Sequence, residues 1–248
     1  MNRFIRQKNV AKMGFRFPIR DTHQLYNQSF PAISDSYSLL LEVYMNLTSV
    51  CPAAYGYCPM VLFHRSDWTS FFYIQNNVSA INFGVNAPDG AEIISIDISN
   101  DMYKLDHFAF LLDRINNLRK AYVNGELKAN PALTKHPSWN ASNRIYFGPQ
   151  GQYINWDGSY LLTRFTTLSS VPSNIDDIIK WQWQNPMKGI HKGLIPCLGG
   201  IQSTWTFDNP GYGTGDFTTI RDEGYYGNIY PISTSIDTKS WLQLQGLP

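Results

Sequence analysis

The sequence predicts an all-β protein whose strands form an antiparallel β-sandwich. The first observation is a succession of short apolar runs, rich in aromatic and β-branched residues, with turn signals between them. The second is that apolar and polar residues alternate within these runs, as they do in strands. With 248 residues, of which 43% are hydrophobic, the chain can bury a large core in one domain.

The first predicted strand covers residues 37–45, YSLLLEVYM. One side of it is apolar and the other carries Ser38, Glu42 and Tyr44, which predicts a strand with one face in the core and one in solvent. The residues expected on the core face are Tyr37, Leu39, Leu41, Val43 and Met45.

Several further strands are predicted between residues 60 and 98, after a loop that contains Pro and Gly, SVCPAAYGYCP. They are the runs MVLFHR, SFFYIQ, SAINFGV and EIISIDI. The segments that separate them, SDWT, NN and NAPDG, are typical of turns.

Residues 103–131 predict a hairpin, because HFAFLLD and LRKAYVN flank the polar turn RINN. After the second of these strands, Asn124 and Gly125 supply the positive φ angles that a tight turn requires. We expect this hairpin to be scaffold, with its apolar sides in the core and no chemistry of its own. RIYFG and GSYLLTRFT are the next predicted strands.

A short helix is predicted in SSVPSNIDDIIKW, where the apolar period changes. Ile175, Ile178 and Ile179 lie on one face of this helix, and Ser173 with Asp176 three residues later resembles a capping box. Asp176 and Asp177, at the start of the predicted helix, also complement the helix dipole.

Both ends of the chain are expected to lie outside the predicted core. Residues 1–36 have six Lys and Arg among the first twenty residues and no acidic residue before Asp21, which predicts a basic N-terminal arm. Residues 185–248 hold many Gly and Pro, but they are too rich in aromatic residues for a solvated linker. We expect them to form an ordered C-terminal extension with one or two strands.

Short motifs follow one another between these ends: Asp106-His107-Phe108-Ala109, Tyr122-Val123-Asn124-Gly125-Glu126, Ile145-Tyr146-Phe147-Gly148, and Trp156-Asp157-Gly158 before Arg164-Phe165 and Leu168-Ser169. Their order and spacing resemble the laminin-G-like, concanavalin A-like jelly roll. The resemblance implies that residues 37–184 form the jelly roll and that the extension completes or flanks the sandwich.

Residues 199–233 resemble the segment that usually forms the first strand of this family, although here they follow the jelly roll. Either the segment returns beside the first strand, as in a permuted chain, or it begins a second, incomplete module. Because the termini of a sandwich commonly lie close together, we favour the permuted arrangement.

The overall charge argues against nucleic-acid binding, because 20 Lys and Arg against 19 Asp and Glu leave a net charge of +1. The basic N-terminal segment lacks the uninterrupted apolar stretch of a secretory signal, and no segment has the length of a membrane span. We therefore expect a protein that is made in a cytoplasm and is either retained there or packed into an assembly built there. Cys51, Cys58 and Cys197 are then expected to be free, buried thiols.

Many glycoside hydrolases share the jelly roll, and they need two carboxylates that face one cleft. In EIISIDIS, Glu92 and Asp97 are five residues apart and so lie on opposite faces of a strand. The sequence has no G-x-S-x-G motif, and its histidines form no catalytic or zinc-binding pattern; His107 is expected to be structural. We therefore expect no enzymatic activity.

Related domains often hold a Ca²⁺ ion near the rim of a sheet, and the resemblance makes Asp67, Asn155 and Asp157 the candidate ligands. The alternative is that these side chains cap turns. No other cofactor is expected.

Trp68 and Trp139 occur at predicted turns beside Asp67 and Asn140, a combination that can stack on sugar faces and hydrogen-bond to hydroxyl groups. The alternative is that the two tryptophans cover a sheet edge or pack against a neighbouring subunit. Trp156 is expected to be a packing residue, as in the family.

Two functions fit these features. The first is a non-enzymatic structural or adhesion protein of a large assembly, a bacteriophage virion component such as a capsid decoration, head-fibre or tail protein. It would contact other subunits through residues 1–36 and the C-terminal extension. The second is a carbohydrate-binding module for cell-surface or dietary glycans. Neither function involves nucleic acid or insertion into a membrane.

Overall fold

Two antiparallel eight-stranded sheets enclose the core of the protein in a computed structural model. The structure describes residues 13–17, 25–47, 58–77, 79–98, 105–147, 158–186, 201–206, 219–220, 232–234 and 241–243. The predicted class, an all-β antiparallel sandwich, is confirmed, and each strand predicted between residues 37 and 168 is present.

The strands, numbered in chain order, are β1 (Met13–Phe17), β2 (Leu25–Phe30), β3 (Ser38–Leu47), β4 (Cys58–Arg65), β5 (Phe71–Asn77), β6 (Ala80–Ala87), β7 (Gly90–Asp97), β8 (Leu105–Asp113), β9 (Leu118–Val123), β10 (Glu126–Ala129), β11 (Asn143–Phe147), β12 (Gly158–Leu168), β13 (Gln202–Thr206), β14 (Thr219–Ile220), β15 (Ile232–Thr234) and β16 (Trp241–Gln243). The helix α1 spans Ile175–Gln184.

The first sheet has the strand order β10-β9-β8-β3-β12-β1-β16, and β13 also pairs with β12. One edge of β12 is shared, since β1 pairs with its first residues and β13 with its C-terminal half. The second sheet has the order β14-β15-β2-β11-β4-β5-β6-β7. Its four neighbouring strands β11, β4, β5 and β6 carry the candidate site described below.

Aromatic side chains from both sheets meet in the core between them. The ring of Phe30 contacts Phe63 of its own sheet and Phe165 of the first sheet edge-to-face, at centroid distances of 5.6 and 5.4 Å. Phe72 of β5 stacks on Phe110 of β8 at 4.8 Å. Such pairs add to the hydrophobic free energy of burial and join the two sheets.

Strand β3 is buried on both faces, which corrects the prediction that one face is in solvent. The predicted core face is confirmed, with Tyr37 partly buried at its start. The other face is also inaccessible, because Ser38, Glu42 and Tyr44 are fully buried. Part of this second face, at Leu40, is covered by α1.

Helix α1 packs on the outer face of the first sheet through the predicted isoleucines. Ile175 and Ile179 are buried and Ile178 is partly buried, against a cluster that includes Leu40 and Tyr122. The predicted capping box is wrong, because the N-cap residue is Asn174 and no side chain caps the helix. Asp176 instead accepts hydrogen bonds from the hydroxyl of Tyr122, at 2.6 Å, and from Lys120, at 2.9 Å.

The predicted hairpin is formed by β8 and β9, and its Asn-Gly turn leads into β10. Asn124 and Gly125 have φ angles of 53° and 74°, as the sequence predicts. A Cβ atom on Gly125 would lie 2.9 Å from the Cα of Lys180, so the glycine also permits α1 to approach the turn.

The N-terminal boundary at residue 37 does not separate an arm from the sandwich. Strand β1 pairs with β12 and β16 in the first sheet, and β2 pairs with β11 and β15 in the second. Phe30 and Ile33, within the predicted arm, belong to the core. Along these described segments, the main chain is part of the fold.

The described parts of residues 185–248 also join the two sheets. Strand β13 pairs with β12, so residues 202–206 belong to the same sandwich and not to a second module; they lie beside β12 and not beside β3. Strand β16 pairs with β1, and β15 pairs with β2. The predictions for Cys51, Cys197, Asn155, Trp156 and Asp157 concern positions outside the described residues.

Within the described ranges, no helix has the length and apolar character needed to cross a membrane.

Candidate functional site

The candidate site lies on the outer face of the second sheet, which is turned away from the core. A cross-strand row runs over this face, with each member directly opposite the next; from β11 to β6 it consists of Arg144, His64, Phe71 and Asn86. Their chain neighbours Ile145, Phe63, Phe72 and Val85 all lie in the core. Because neighbouring strands are about 4.8 Å apart, the row is about 14 Å long.

Trp68 is placed above this row by the loop between β4 and β5. The N–H of Arg65 donates to the carbonyl of Ser70 at 3.0 Å, and the N–H of Trp68 donates to the carbonyl of Arg65 at 2.9 Å. Trp68 has a φ angle of 61°, a left-handed conformation that is rare for a bulky residue. Asp67 braces the loop, since its Oδ1 accepts hydrogen bonds from the N–H and hydroxyl of Thr69 at 3.2 and 2.7 Å.

Trp68, His64 and Tyr146 form an aromatic stack on the sheet. The ring centroids of Trp68 and His64 are 3.9 Å apart, with 21° between the planes. Those of His64 and Tyr146 are 5.3 Å apart, at 15°. Phe71 lies beside the stack, 5.8 Å from Trp68. Because His64 is fully buried and Trp68 is 44% exposed, the indole is the ring that the stack presents to solvent.

His64 supports the indole as a neutral ring. Burial lowers the pKa of His64 below its ordinary value and outweighs the hydrogen bond to the carbonyl of Arg65, while the positive charge of Arg144 acts with burial. The Nδ1 of His64 lies 2.6 Å from that carbonyl oxygen, which assigns the imidazole proton to Nδ1. The Nε2 atom, an acceptor in this tautomer, has no hydrogen-bond partner within the described part of the chain.

The charges of the described residues around Trp68 do not cancel. Arg65 is paired with Asp67, with 3.0 Å between Nε and Oδ2. The hydrogen bond from the Thr69 hydroxyl lowers the pKa of Asp67, so its carboxylate is ionised at neutral pH. Arg144 makes no ion pair or side-chain hydrogen bond with any residue that the structure describes, although its Nε is buried.

Amide groups and a flat ring continue the surface towards β6. The Oδ1 atoms of Asn86 and Asn82 have no hydrogen-bond partner in the described ranges. Between them is Gly84, across which the ring of Tyr73 lies so closely that a Cβ atom would overlap it. The ring of Tyr73 and the two amide oxygens are buried, so the part of this face that reaches solvent is the indole of Trp68 with the partly buried Phe71 and Asn86 beside it.

The sequence-predicted residues Asp67, Trp68 and Asn140 lie in two loops that are joined to each other. The N–H of Ser66 donates to the carbonyl of Ser142 at 3.0 Å. The N–H of Ser138 donates to the hydroxyl of Ser70 at 3.1 Å. Asn140 is exposed in the second loop.

Trp139 is not a surface residue, and its prediction as a sugar platform is wrong. Its side chain is fully buried, with its ring 5.8 Å from Phe63 and 6.1 Å from Phe72. Its backbone N–H donates to Asp35, at 3.2 Å, and its carbonyl accepts from Ile33, which fixes the residue inwards. Trp139 is therefore a core residue between the two sheets, and it neither forms a platform nor covers a sheet edge.

The contacts of Asp67 fit the turn-capping alternative to a calcium site. Its oxygens accept a hydrogen bond from Thr69 and pair with Arg65, whose positive charge would repel a metal ion. Among the residues that the structure describes, no three His, Cys, Asp or Glu side chains lie together so that they could hold a metal ion. Since Asn155 and Asp157 fall outside these residues, calcium binding stays a prediction.

The acidic residues weighed for hydrolysis are separated as predicted. Glu92 accepts hydrogen bonds from the hydroxyl of Thr134, at 2.8 Å, and from the N–H of Lys135, at 3.1 Å. Asp97 is exposed at the other end of β7, on the opposite side of the strand. These two carboxylates do not face a common cleft.

A second cluster of titratable groups is buried on the outer face of the first sheet. Glu42 accepts a hydrogen bond from Arg164 at 3.0 Å and lies 3.2 Å from the Nε2 of His107. Burial alone would raise the pKa of Glu42, but the charge of Arg164 and the hydrogen bond with His107 outweigh it and lower the pKa. The ring of His107 stacks on Tyr44 at 4.3 Å, in keeping with the structural role expected of it.

Sequence reasoning missed most of the cross-strand row. Arg144, His64, Phe71 and Asn86 are each separated from the next by a strand pairing, which a single sequence does not reveal. The available signal was the alternation of side chains along each strand. Because each of these residues is adjacent in sequence to a core residue, it must face away from the core.

Known proteins resemble this chain in fold but not in sequence. No protein-family model and no curated protein matches it. The receptor binding domain of botulinum neurotoxin D matches with a TM-score of 0.53 and 12% identity, over 73% of this chain and 46% of that one. A native heptameric SAP-like pentraxin from Limulus polyphemus matches with a TM-score of 0.50 and 11% identity, over 78% and 92%. Domains LG4-5 of the mouse laminin α1 chain give a TM-score of 0.47 at 10% identity, over 64% and 42%.

These similarities identify the sandwich as a concanavalin A-like jelly roll, as the sequence motifs indicate. The chain spans less than half the length of the toxin domains that it matches. At such low identity the likeness establishes the fold and not the activity.

Proposed function

We propose that the protein is a non-enzymatic adhesion protein that binds glycans on the outer face of its second sheet. The observation that carries the proposal is the half-exposed indole of Trp68, which is held over the cross-strand row by its stack on His64. A pyranose ring has an apolar face that can lie against an indole, while its hydroxyl groups require hydrogen-bond partners at the edges.

The surroundings of Trp68 supply such partners. Asp67 and Asn140 are exposed in the two adjoining loops, where their side chains can reach the hydroxyl groups of a sugar on the indole. The loop is held by its own hydrogen bonds, so the indole is positioned before a ligand arrives. The botulinum neurotoxin D domain that shares this fold is a receptor binding domain, which is consistent with the proposal.

The test is binding of the purified chain to an array of cell-surface and dietary glycans, with Trp68→Asn as the variant. Asparagine tolerates the left-handed backbone at this position, so the loop keeps its shape while the ring is lost. Loss of a central aromatic anchor typically costs 2 kcal/mol or more, or about 30-fold in Kd.

Trp181→Asn is the matched control, because Trp181 is also partly exposed, at 37%, but lies on α1, which packs on the first sheet and not on the second. It should bind as the unaltered chain does. An array without signal, or equal binding by both variants, would contradict the proposal.

The setting that we propose is a large assembly, as a capsid decoration, head-fibre or tail protein of a bacteriophage virion. It is supported by the basic N-terminal segment, which has six Lys and Arg among residues 1–20 and could contact another subunit. Many copies on one particle would turn weak binding to single glycans into firm adhesion. Detection of the chain by mass spectrometry in purified particles tests this setting, and particles that lack it would contradict it.

A further inference from the structure

We infer that the glycans bound at this surface are acidic, and that Arg144 recognises their carboxylate group. The inference rests on the proposed function, since it specifies the ligand of the same surface. It starts from an arginine beside the exposed tryptophan that makes no ion pair or side-chain hydrogen bond within the described residues.

Arg144 is the first member of the cross-strand row. It is directly opposite His64, on which Trp68 is stacked, and it is on the same outer face of the sheet. A ligand that lies on the indole and extends along the row towards β11 would therefore reach the guanidinium group within about one strand spacing, 4.8 Å.

The side chain of Arg144 is partly buried, and its Nε–H is shielded from solvent and donates to no described partner. A guanidinium group presents its N–H donors in a planar fork that matches the two oxygens of a carboxylate. Partial burial strengthens such a bond because the local dielectric constant is lower than that of water.

The local charge balance also favours an anion. Of the residues that the structure describes, two arginines and one carboxylate surround the stack. Arg65 is already paired with Asp67, so within this set one positive charge is left over at Arg144. The rest of the row, Phe71 and Asn86, is uncharged and suits the neutral part of a sugar. The arrangement fits a glycan with a single carboxylate near the indole.

The experiment compares each acidic ligand with a matched neutral one. One pair is a uronic acid oligosaccharide and the same compound with its carboxylates reduced to primary alcohols. The other pair is a sialylated oligosaccharide and its desialylated form. Binding of the full chain is measured by calorimetry at low and at high salt. A further ligand is an oligosaccharide whose only acidic groups are sulfates.

We expect at least one acidic member to bind about tenfold or more tightly than its neutral partner, with the difference reduced at high salt. In Arg144→Gln the preference should vanish while the weaker binding of the neutral form remains. Arg144→Lys should retain part of the preference, because the charge stays but the planar fork is lost.

Lys180→Gln, which removes one positive charge from α1 on the other sheet, should leave the preference intact. Thermal unfolding followed by circular dichroism checks that each variant is folded.

The outcomes separate this inference from the proposed function. Equal binding of both members of each pair, or a preference that persists in Arg144→Gln, overturns the inference while glycan binding itself stands. Arg144-dependent binding of the sulfated compound alone overturns the assignment to carboxylates. If no oligosaccharide binds and Trp68→Asn changes nothing, the proposed function fails and the inference fails with it.

Discussion

The indole of Trp68 is stacked on the imidazole of His64 with 3.9 Å between ring centroids, while the backbone of Trp68 is held in the left-handed region. A non-glycine residue in this region is strained by about 1–2 kcal/mol relative to the common conformations. Such strain is tolerated where surrounding contacts over-determine the loop, and it commonly marks a functional position. Here the contacts are the closing hydrogen bonds of the loop and the stack itself.

Trp68→Gly is expected to be more stable than Trp68→Ala by about 1 kcal/mol, since both variants lose the stack but only glycine adopts the positive φ without strain. Urea unfolding of the two variants measures the difference. At Ser66 in the same loop, which has no positive φ, the order should be reversed. Equal stability of the two Trp68 variants would show that the backbone there is unstrained.

Gly84→Ala is expected to destabilise the protein by about 1–3 kcal/mol, because the new methyl group would overlap the ring of Tyr73 that lies across Gly84. The same substitution in a Tyr73→Ala background should cost much less, so the two effects should be strongly non-additive. A double-mutant cycle from urea unfolding provides the measurement. Additive costs would mean that the glycine is needed for backbone reasons and not for the ring.

The strands of this fold could be predicted because alternation of apolar residues is a local signal. In β3, residues Leu39, Leu41 and Val43 reach the core as the pattern predicts. The burial of Glu42 on the opposite face could not be predicted in this way. That face is occupied by residues from β8 and β12, which are far from β3 in sequence.

The candidate site was predictable only where its residues are neighbours in the chain. Asp67 and Trp68 were found from the turn-like sequence SDWT, whereas Arg144 meets His64 only through the pairing of β11 with β4. The same local logic misplaced Trp139, whose surroundings also resemble a turn. Its burial depends on contacts with Phe63 and Phe72 of the second sheet.

Glu42→Ala is expected to destabilise the protein by about 3–5 kcal/mol, because it leaves the guanidinium group of Arg164 buried without its carboxylate. Glu42→Leu/Arg164→Leu should be less destabilised than Glu42→Ala, since no uncompensated charge remains. Urea unfolding of the single and double variants tests this order. If the double variant is less stable to unfolding than Glu42→Ala, the ion pair itself contributes more than the cost of its burial.

The protein is expected to lose stability as the pH falls below about 6.5, the ordinary pKa of histidine. Burial lowers the pKa of His107, and burial likewise lowers that of His64, so both stay neutral in the folded protein at a pH where the unfolded chain binds protons. The contribution of these histidines to stability is therefore fully present above their pKa in the unfolded chain. It is lost as the pH falls towards their pKa in the folded protein, by up to about 1.4 kcal/mol per pH unit for each histidine.

Below the ordinary pKa of Glu42, its lowered folded pKa adds a further loss of the same sign. Urea unfolding of the unaltered chain between pH 5 and pH 8 should thus give an unfolding free energy that rises with pH up to about 6.5 and then levels off. His107→Gln, whose amide can still donate to Glu42, should have a shallower slope in the same range, and His64→Gln/His107→Gln a shallower one still. An unfolding free energy that is constant across this range, or larger at pH 5 than at pH 7, would mean that these histidines are already protonated in the folded protein.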